Sequence, residues 1–267
     1  MNPNKIIFID VDQTLFNNKN SSLYPSTIQA MKEIGMHDDI DAFLATGRGI
    51  NLLGHLNEVL PYFKGFVTNN GQTAFYKNKI IYDEETPKEL VKKLEDYANK
   101  NKISIAYVSE YEALVNFYDE ISKIALENFH IYNSKSLEGY KCPDSVKVKQ
   151  FWFFGNHEQI DKASKAIPEL DFIKWPGKLG CDVVVKGVSK KNGIEKVLEY
   201  LQYDFQNTYA IGDGDNDIGM FEAVNNSIAM GNGTINAKEH AKYITDSIDN
   251  DGFYKAIEKY LLKKSVN

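Results

Sequence analysis

A short apolar run, Lys5 to Ile9, leads directly into Asp10-Val11-Asp12-Gln13-Thr14. Residues i and i+2 of an extended chain point the same way, so Asp10 and Asp12 can face one site. A second acidic string, Gly212-Asp213-Gly214-Asp215-Asn216-Asp217, follows another apolar run. Acids this close repel one another, the more so if Asp10 and Asp12 lie nearby, and a folded site tolerates them only with a cation present. Hard carboxylate oxygens suit Mg²⁺, which takes a few protein ligands and leaves its other positions to water and phosphate. A calcium-binding EF-hand loop does not fit, because Ile218 stands at its glycine position and Val224 at its glutamate position. Two further places could handle a phosphoryl group. Thr46, followed by Gly47 and Arg48, offers a hydroxyl and nearby backbone N–H groups. Lys190, in Gly187-Val188-Ser189-Lys190, offers a positive charge at a helix start.

Taken singly, each string has an ordinary alternative: the acids as solvated turns or local caps, Thr46 as an N-cap, Lys190 as a surface lysine. The five histidines, His37, His55, His130, His157 and His240, fall in no metal or triad spacing and read as surface or packing residues. No Walker A string is present, and Gly231-Asn232-Gly233 lacks the third glycine of a dinucleotide fingerprint. A net charge of −6 argues against a general nucleic-acid binder. Lysine and arginine together number 31, yet Arg48 is the single arginine, and its planar fork is what a lysine cannot reproduce. Cys142 and Cys181 form no C-x-x-C pair, so a reducing cytoplasm is expected. No apolar stretch is long enough to span a bilayer and no signal-peptide core precedes Lys5, so no membrane association is expected. No coiled-coil heptad calls for an oligomer.

The 267 residues allow one large domain or two modest ones. Periodicity predicts a helix over 25–36, a strand over 40–45, a helix over 50–60 that stops at Pro61, and a strand over 65–68. Such alternation with short connections predicts a doubly wound parallel sheet, a Rossmann-like α/β core. The far end repeats it, with helices at 189–202, 216–223 and 252–262 and strands at 207–211, 226–230 and 242–245. Between them, 77–186 is Lys/Glu-rich and aromatic. Strands are expected there at 103–109, 112–117, 146–154 and 181–185, and helices near 86–100, 119–131 and 157–167, making an α+β insertion. The expected domains are therefore 1–76 with 187–267, discontinuous, and 77–186. Phe151-Trp152-Phe153-Phe154 reads as a core strand. In doubly wound sheets ligands bind outside the carboxyl ends of the strands, which is where the acidic strings fall.

In this order and at these strand ends, Asp10-x-Asp12-x-Thr14, Thr46, Lys190 and Gly212-Asp213-x-x-Asn216-Asp217 resemble the motifs of the haloacid dehalogenase-like phosphohydrolases. Ala45-Thr46-Gly47-Arg48, Asn70-Gly71, Gly187-Val188-Ser189-Lys190 and Ala229-Met230-Gly231-Asn232 are similar to strings of their Cof-like, sugar-phosphatase-type branch. The resemblance covers essentially the whole chain, with 77–186 corresponding to that branch's large cap.

It implies a cytoplasmic, Mg²⁺-dependent phosphatase of small phosphorylated metabolites. Asp10 would be the nucleophile that forms an aspartyl-phosphate, and Asp12 the acid that protonates the leaving alkoxide and then the base that activates water. Thr46 and Lys190 would hold the phosphoryl oxygens. Mg²⁺ would sit on Asp10, Asp12 through its backbone carbonyl, and Asp213, with Asp217 and Asn216 supporting. Thr46, Gly47, Arg48, Lys190, Asn216 and Asp182 are the candidate substrate contacts. Trp175 and Cys181 are further candidates, with core packing the stronger reading of Trp175. The family usually has glycine after its second aspartate, and here Gln13 stands in that place, so the turn must accept a side chain that could narrow the mouth or touch substrate. Rival readings are a phosphomutase of the same superfamily, a non-catalytic sugar-phosphate sensor, and a receiver-type signalling domain, which would not need so long an insertion.

Overall fold

The computed structural model describes residues 4–262 apart from 129–130, 132–133, 138–140, 176 and 178; His130 lies outside the described residues. Along the chain, β1 (Lys5–Ile9) precedes a small hairpin of β2 (Phe16–Asn17) and β3 (Ser22–Leu23), then α1 (Pro25–Gly35), β4 (Ile40–Ala45), β5 (Gly65–Thr68), β6 (Thr73–Tyr76) and β7 (Lys79–Asp83). An inserted stretch carries α2 (Lys88–Asn101), β8 (Ile105–Val108), β9 (Ala113–Val115), α3 (Glu120–Asn128), β10 (Ser134–Ser136), β11 (Gln150–Phe153), α4 (His157–Ala166), β12 (Leu170–Lys174) and β13 (Cys181–Val185). The chain returns through α5 (Lys190–Leu201), β14 (Thr208–Gly212), α6 (Ile218–Glu222), β15 (Asn226–Ala229), α7 (Ile235–His240), β16 (Tyr243–Ile244) and α8 (Gly252–Ala256). Among the described residues no helix is long and apolar enough to cross a membrane.

Two compact units result, one of Met1–Thr46, Gly54–Asp83 and Ser189–Asn267, the other of Gly47–Leu53 and Glu84–Val188. The first is built on an eight-stranded sheet ordered β16-β15-β14-β1-β4-β5-β6-β7. It is parallel from β16 to β5, and β6 and β7 add on antiparallel. Ile6 to Ile9 are fully buried, as a central strand covered on both faces requires. Phe8, Phe43 and Val67 pack with Ile194, Val197 and Leu201 of α5, which fixes that helix over the middle of the sheet.

The second unit is a six-stranded sheet ordered β10-β9-β8-β11-β13-β12, antiparallel except for the β9–β10 pair. On one face Tyr107, Phe151, Phe153 and Val183 pack against Leu94 and Ala98 of α2 and Ile160 and Ala163 of α4. On the other, Ala106, Trp152 and Phe154 pack with Ala125 and Leu126 of α3 and with Leu52. The aromatic string at 151–154 is thus a core strand that feeds two apolar clusters, because alternate side chains leave a strand on opposite faces.

Several expected elements differ. No helix forms over 50–60; three short 3₁₀ turns, Ile50–Leu52, Gly54–Leu56 and Leu60–Tyr62, stand in its place. Long-range bonds draw the segment after Thr46 into the second unit: the Gln150 side chain donates to the Gly47 carbonyl (2.6 Å), and the Ile50 N–H donates to Glu110 (3.0 Å). The second unit begins at Glu84 and not at residue 77, because β6 and β7 form a hairpin on the edge of the first sheet. Its two-residue turn, Lys77 (φ 47°) and Asn78 (φ 64°), is left-handed at both positions without the glycine that usually advertises such a turn. Strands β10 and β12 were also not expected. The last helix passes at Ile257 into a wider π-helical turn that runs to Leu262.

Within the second unit the buried Glu95 carboxylate accepts from the Tyr107 hydroxyl (2.8 Å) and the Cys142 N–H (2.9 Å). Tyr107→Phe leaves that oxygen with one donor fewer and is expected to cost about 1–3 kcal/mol of this unit's stability. Urea unfolding followed by tryptophan fluorescence checks this directly, since both tryptophans, Trp152 and Trp175, lie in this unit. An unshifted midpoint would show that the pair carries no stability.

Candidate active site

Ile9 of β1 lies level with Leu44 on β4 and Ile211 on β14. Parallel strands in that register deliver Asp10, Thr46 and Asp213 at one end of the sheet. The Asp10 N–H continues the ladder by donating to the Ile211 carbonyl (3.0 Å), and the Thr46 N–H donates to Val67 (2.8 Å). The chain then turns back, with Gln13 at φ 62° and its N–H on the Phe16 carbonyl (2.8 Å). This left-handed conformation is free to glycine and costs a residue with a Cβ roughly 1–2 kcal/mol.

The second acidic string folds under the end of β14. Asp217 accepts through Oδ2 from the N–H groups of Asp213 (2.8 Å) and Gly214 (2.9 Å). A Cβ at Gly212 would lie 2.4 Å from that oxygen, so only glycine lets the carboxylate in. Lys190 opens α5 directly after its N-cap, Ser189. Gly71 (φ +98°) presses against this helix start: a Cβ there would meet the Ser189 carbonyl at 2.1 Å.

These supports converge on a buried charge cluster. Lys190 Nζ lies 2.5 Å from Asp10 Oδ1 and 2.6 Å from Asp217 Oδ1. One carboxylate oxygen each from Asp10, Asp213 and Asp217 falls within 4.8 Å of the others. Burial, helped by the Asp217 charge and opposed by Lys190, pushes the Asp10 carboxyl up to about 7. Burial and the Asp10 and Asp217 charges push Asp213 up to about 9. For Lys190 burial works downward, yet the two carboxylates outweigh it and hold the ammonium above the ordinary lysine range. Three carboxylates share one ammonium here, and the surplus negative charge on hard oxygens fits a divalent cation such as Mg²⁺. The Asp12 side chain is not among the three converging carboxylates.

The other expected residues divide between the units. Thr46 is buried at the end of β4, and Asn216 is half-buried in the acidic loop. Gly47, Arg48 and Asp182 belong to the second unit. Asp182, level with Trp152 on the neighbouring strand, accepts from Trp175 Nε1 (2.9 Å), and Trp175 packs edge-on against Trp152 and Phe154. Cys181 is corrected as a contact: it points to the opposite face and is fully buried in the α2–α4 cluster, where burial pushes its thiol up. His37, His55, His157 and His240 are exposed. Asn232 gave no functional signal in the sequence beyond a resembling string; its side chain donates to the Gln13 carbonyl (2.9 Å).

Residues 7–257 match a family described as haloacid dehalogenase-like hydrolases. The chain is 30% identical over 270 residues to "Putative phosphatase YkrA" of Bacillus subtilis, covering 97% of this chain and 99% of the relative. It is 25% identical to the 5-amino-6-(5-phospho-D-ribitylamino)uracil phosphatase YcsE of Bacillus subtilis, covering 97% and 96%. Among solved structures it is similar to the sugar phosphatase BT4131 of HAD subclass IIB, with a TM-score of 0.86 at 27% identity, covering 96% of this chain and 98% of that one.

Protons and a cation compete for the same oxygens. Folded-state values raised above the ordinary 3.8 of aspartate mean that, without a cation, these groups favour folding at low pH. That contribution is lost as pH rises through about 7 for Asp10 and about 9 for Asp213. Added Mg²⁺ is therefore expected to raise the melting temperature, and by more at pH 8 than at pH 6. Each kcal/mol of binding should appear as about 2–4 °C in a scanning-fluorimetry melt. Asp213→Asn should remove the increment. A melt indifferent to Mg²⁺ at both pH values would exclude a divalent cation from this cluster.

Proposed function

The chain belongs to the haloacid dehalogenase-like hydrolases as a phosphatase of their Cof-like branch, and from that premise we propose that it hydrolyses small polyhydroxylated phosphomonoesters, sugar phosphates foremost, through a phosphoryl group carried on Asp10. The observation that carries this reading is the buried Asp10 carboxylate held at 2.5 Å by Lys190 at the mouth of the parallel sheet. Two of the similar proteins support the class: one is named a sugar phosphatase, the other a 5-amino-6-(5-phospho-D-ribitylamino)uracil phosphatase.

An Asp10 oxygen attacks phosphorus in line, the new P–O bond forms, and the bond to the leaving oxygen breaks. A nucleophile must be ionised, and burial works against that; the Lys190 ammonium works for it. Asp12, two residues on in the turn that follows β1, hands a proton to the departing alkoxide. It then takes one from the water that hydrolyses the acyl phosphate, regenerating Asp10 and releasing inorganic phosphate. Thr46, at the end of the neighbouring strand, and Lys190 hold the phosphoryl oxygens as charge shifts among them. Asp217 orients Lys190 and, through its other oxygen, the Asp213–Gly214 backbone. Asp10, Asp213 and the Asp12 carbonyl, with Asp217 and Asn216 behind them, would hold Mg²⁺, which would supply charge neutralisation at the transferring group. Selection of the leaving group is assigned to the second unit, with Gly47, Arg48 and Asp182 as its contacts.

Phosphate release from a panel of sugar and polyol monophosphates, with Mg²⁺ and with chelator, tests the reading. Asp10→Asn is expected to abolish release with the circular dichroism spectrum unchanged. Asp12→Asn should lower kcat by roughly 10²–10⁴-fold, the usual worth of a general acid–base. Turnover by folded Asp10→Asn would sink the covalent route, and isomerised sugar phosphate without free phosphate would point to a mutase.

A further inference from the structure

The loop that joins β15 to α7, residues 230–234, touches both acidic strings. Met230 N–H donates to the Gly212 carbonyl (2.9 Å) and Thr234 N–H to the Asp213 carbonyl (2.9 Å). The Thr234 hydroxyl donates to Asp215 (2.5 Å) while accepting from Ala237 N–H (3.0 Å). Between these anchors Asn232 uses both ends of its amide: Nδ2 donates to the Gln13 carbonyl (2.9 Å), and Oδ1 accepts from Ile248 N–H (2.7 Å). The next residue, Asp249, accepts from the Tyr24 hydroxyl (2.7 Å) and from Asn17 (2.9 Å). Asn17 lies on β2, a few residues beyond Gln13, so the bonds close a ring around the turn that carries Asp12.

Gln13 sits in the left-handed region at φ 62°. A residue with a Cβ does not hold that conformation by preference, so the turn keeps its shape only if its peptide groups are pinned from outside. The Phe16 carbonyl pins the Gln13 N–H (2.8 Å), and Asn232 pins the carbonyl on the other side of the same Cα. With both peptide planes fixed, the direction of the Asp12–Gln13 peptide is fixed, and with it the place from which the Asp12 side chain departs. We infer that Asn232 is a positioning residue that sets Asp12 for proton transfer by clamping the Gln13 carbonyl. Asn232 is itself exposed, so its removal should disturb the reaction more than the fold.

This inference rests on the phosphatase reading with Asp12 as general acid, and the test separates the two. An alkyl phosphate such as glycerol phosphate needs its alkoxide protonated, whereas p-nitrophenyl phosphate has a leaving group that departs unaided. The value of kcat/KM reports the step in which that group leaves. In the full chain with Mg²⁺, Asn232→Ala should lower kcat/KM by roughly 10–100-fold on the alkyl ester, the range a misplaced group costs, and by no more than about threefold on the aryl ester. Asn232→Asp keeps an acceptor for Ile248 but sets a carboxylate oxygen against the Gln13 carbonyl, so it should lose at least as much on the alkyl ester. Both variants should stay folded, with melting temperatures no more than about 2–4 °C below the parent's. Equal losses on the two esters, or an Asn232→Asp protein as selective as the parent, overturn the assignment while the phosphatase reading stands. A parent that hydrolyses neither ester overturns both.

Discussion

Burying an ammonium group costs several kcal/mol unless charges of the opposite sign surround it, and Lys190 is fully buried with Asp10 and Asp217 each within 2.6 Å of its nitrogen. Much of the first unit serves that contact. Helix α5 must begin where the lysine can reach over the sheet, which needs the bare Cα of Gly71 beneath its first turn. Asp217 must turn back under β14, which needs Gly212. Removing either carboxylate would strand the ammonium, and removing the lysine would leave three carboxylates together in a dry place. The cluster is balanced only in part, and the remaining negative charge is what equips it for a cation and for a reaction that moves a charged phosphoryl group.

The parallel sheet makes the convergence possible. Asp10 and Lys190 are 180 residues apart, and Asp213 comes from a third segment. Side-by-side parallel strands point their carboxyl ends the same way, so each strand that ends near the centre can contribute one functional residue to a common edge. β1 occupies the centre because its apolar run can be buried on both faces, and its two neighbours bring Thr46 and Asp213 to either side of Asp10. The loops that follow are short and bonded to one another, so the acids are held by backbone geometry more than by side-chain packing.

The second unit has a separate core built on opposite physical terms. Its sheet is antiparallel and aromatic, with helices on both faces, and its buried polar groups pair among themselves, as Glu95 does with Tyr107 and Cys142. The segment Gly47–Leu53 belongs to it although the chain reaches that segment directly from Thr46. A residue assigned to hold phosphoryl oxygens and the lone arginine are therefore two positions apart in sequence and in different units.

How much of this was legible in the chain depends on the range of the interactions involved. The alternation of apolar runs with helical periods predicted the doubly wound core and most of its elements, because those patterns are local. The acidic strings, Thr46 and Lys190 were recognisable since carboxylates at strand ends have few other uses in such number. The edge hairpin β6–β7 was not legible, because its turn takes left-handed φ at Lys77 and Asn78 without a glycine. The expected helix at 50–60 is instead three 3₁₀ turns, and the bonds from Gln150 to Gly47 and from Ile50 to Glu110 tie the start of that segment to residues distant in sequence. Likewise Cys181 and Asp182 look equivalent as neighbours in sequence, and only the burial of one face and not the other separates them. The sequence by itself determined the fold class, the acidic chemistry and the family, since residue type and short-range period carry them. Which carboxylates share the lysine, which peptide Asn232 holds, and which unit owns Arg48 were decided by tertiary structure alone, because contacts between segments far apart in the chain leave no local pattern from which they could be read.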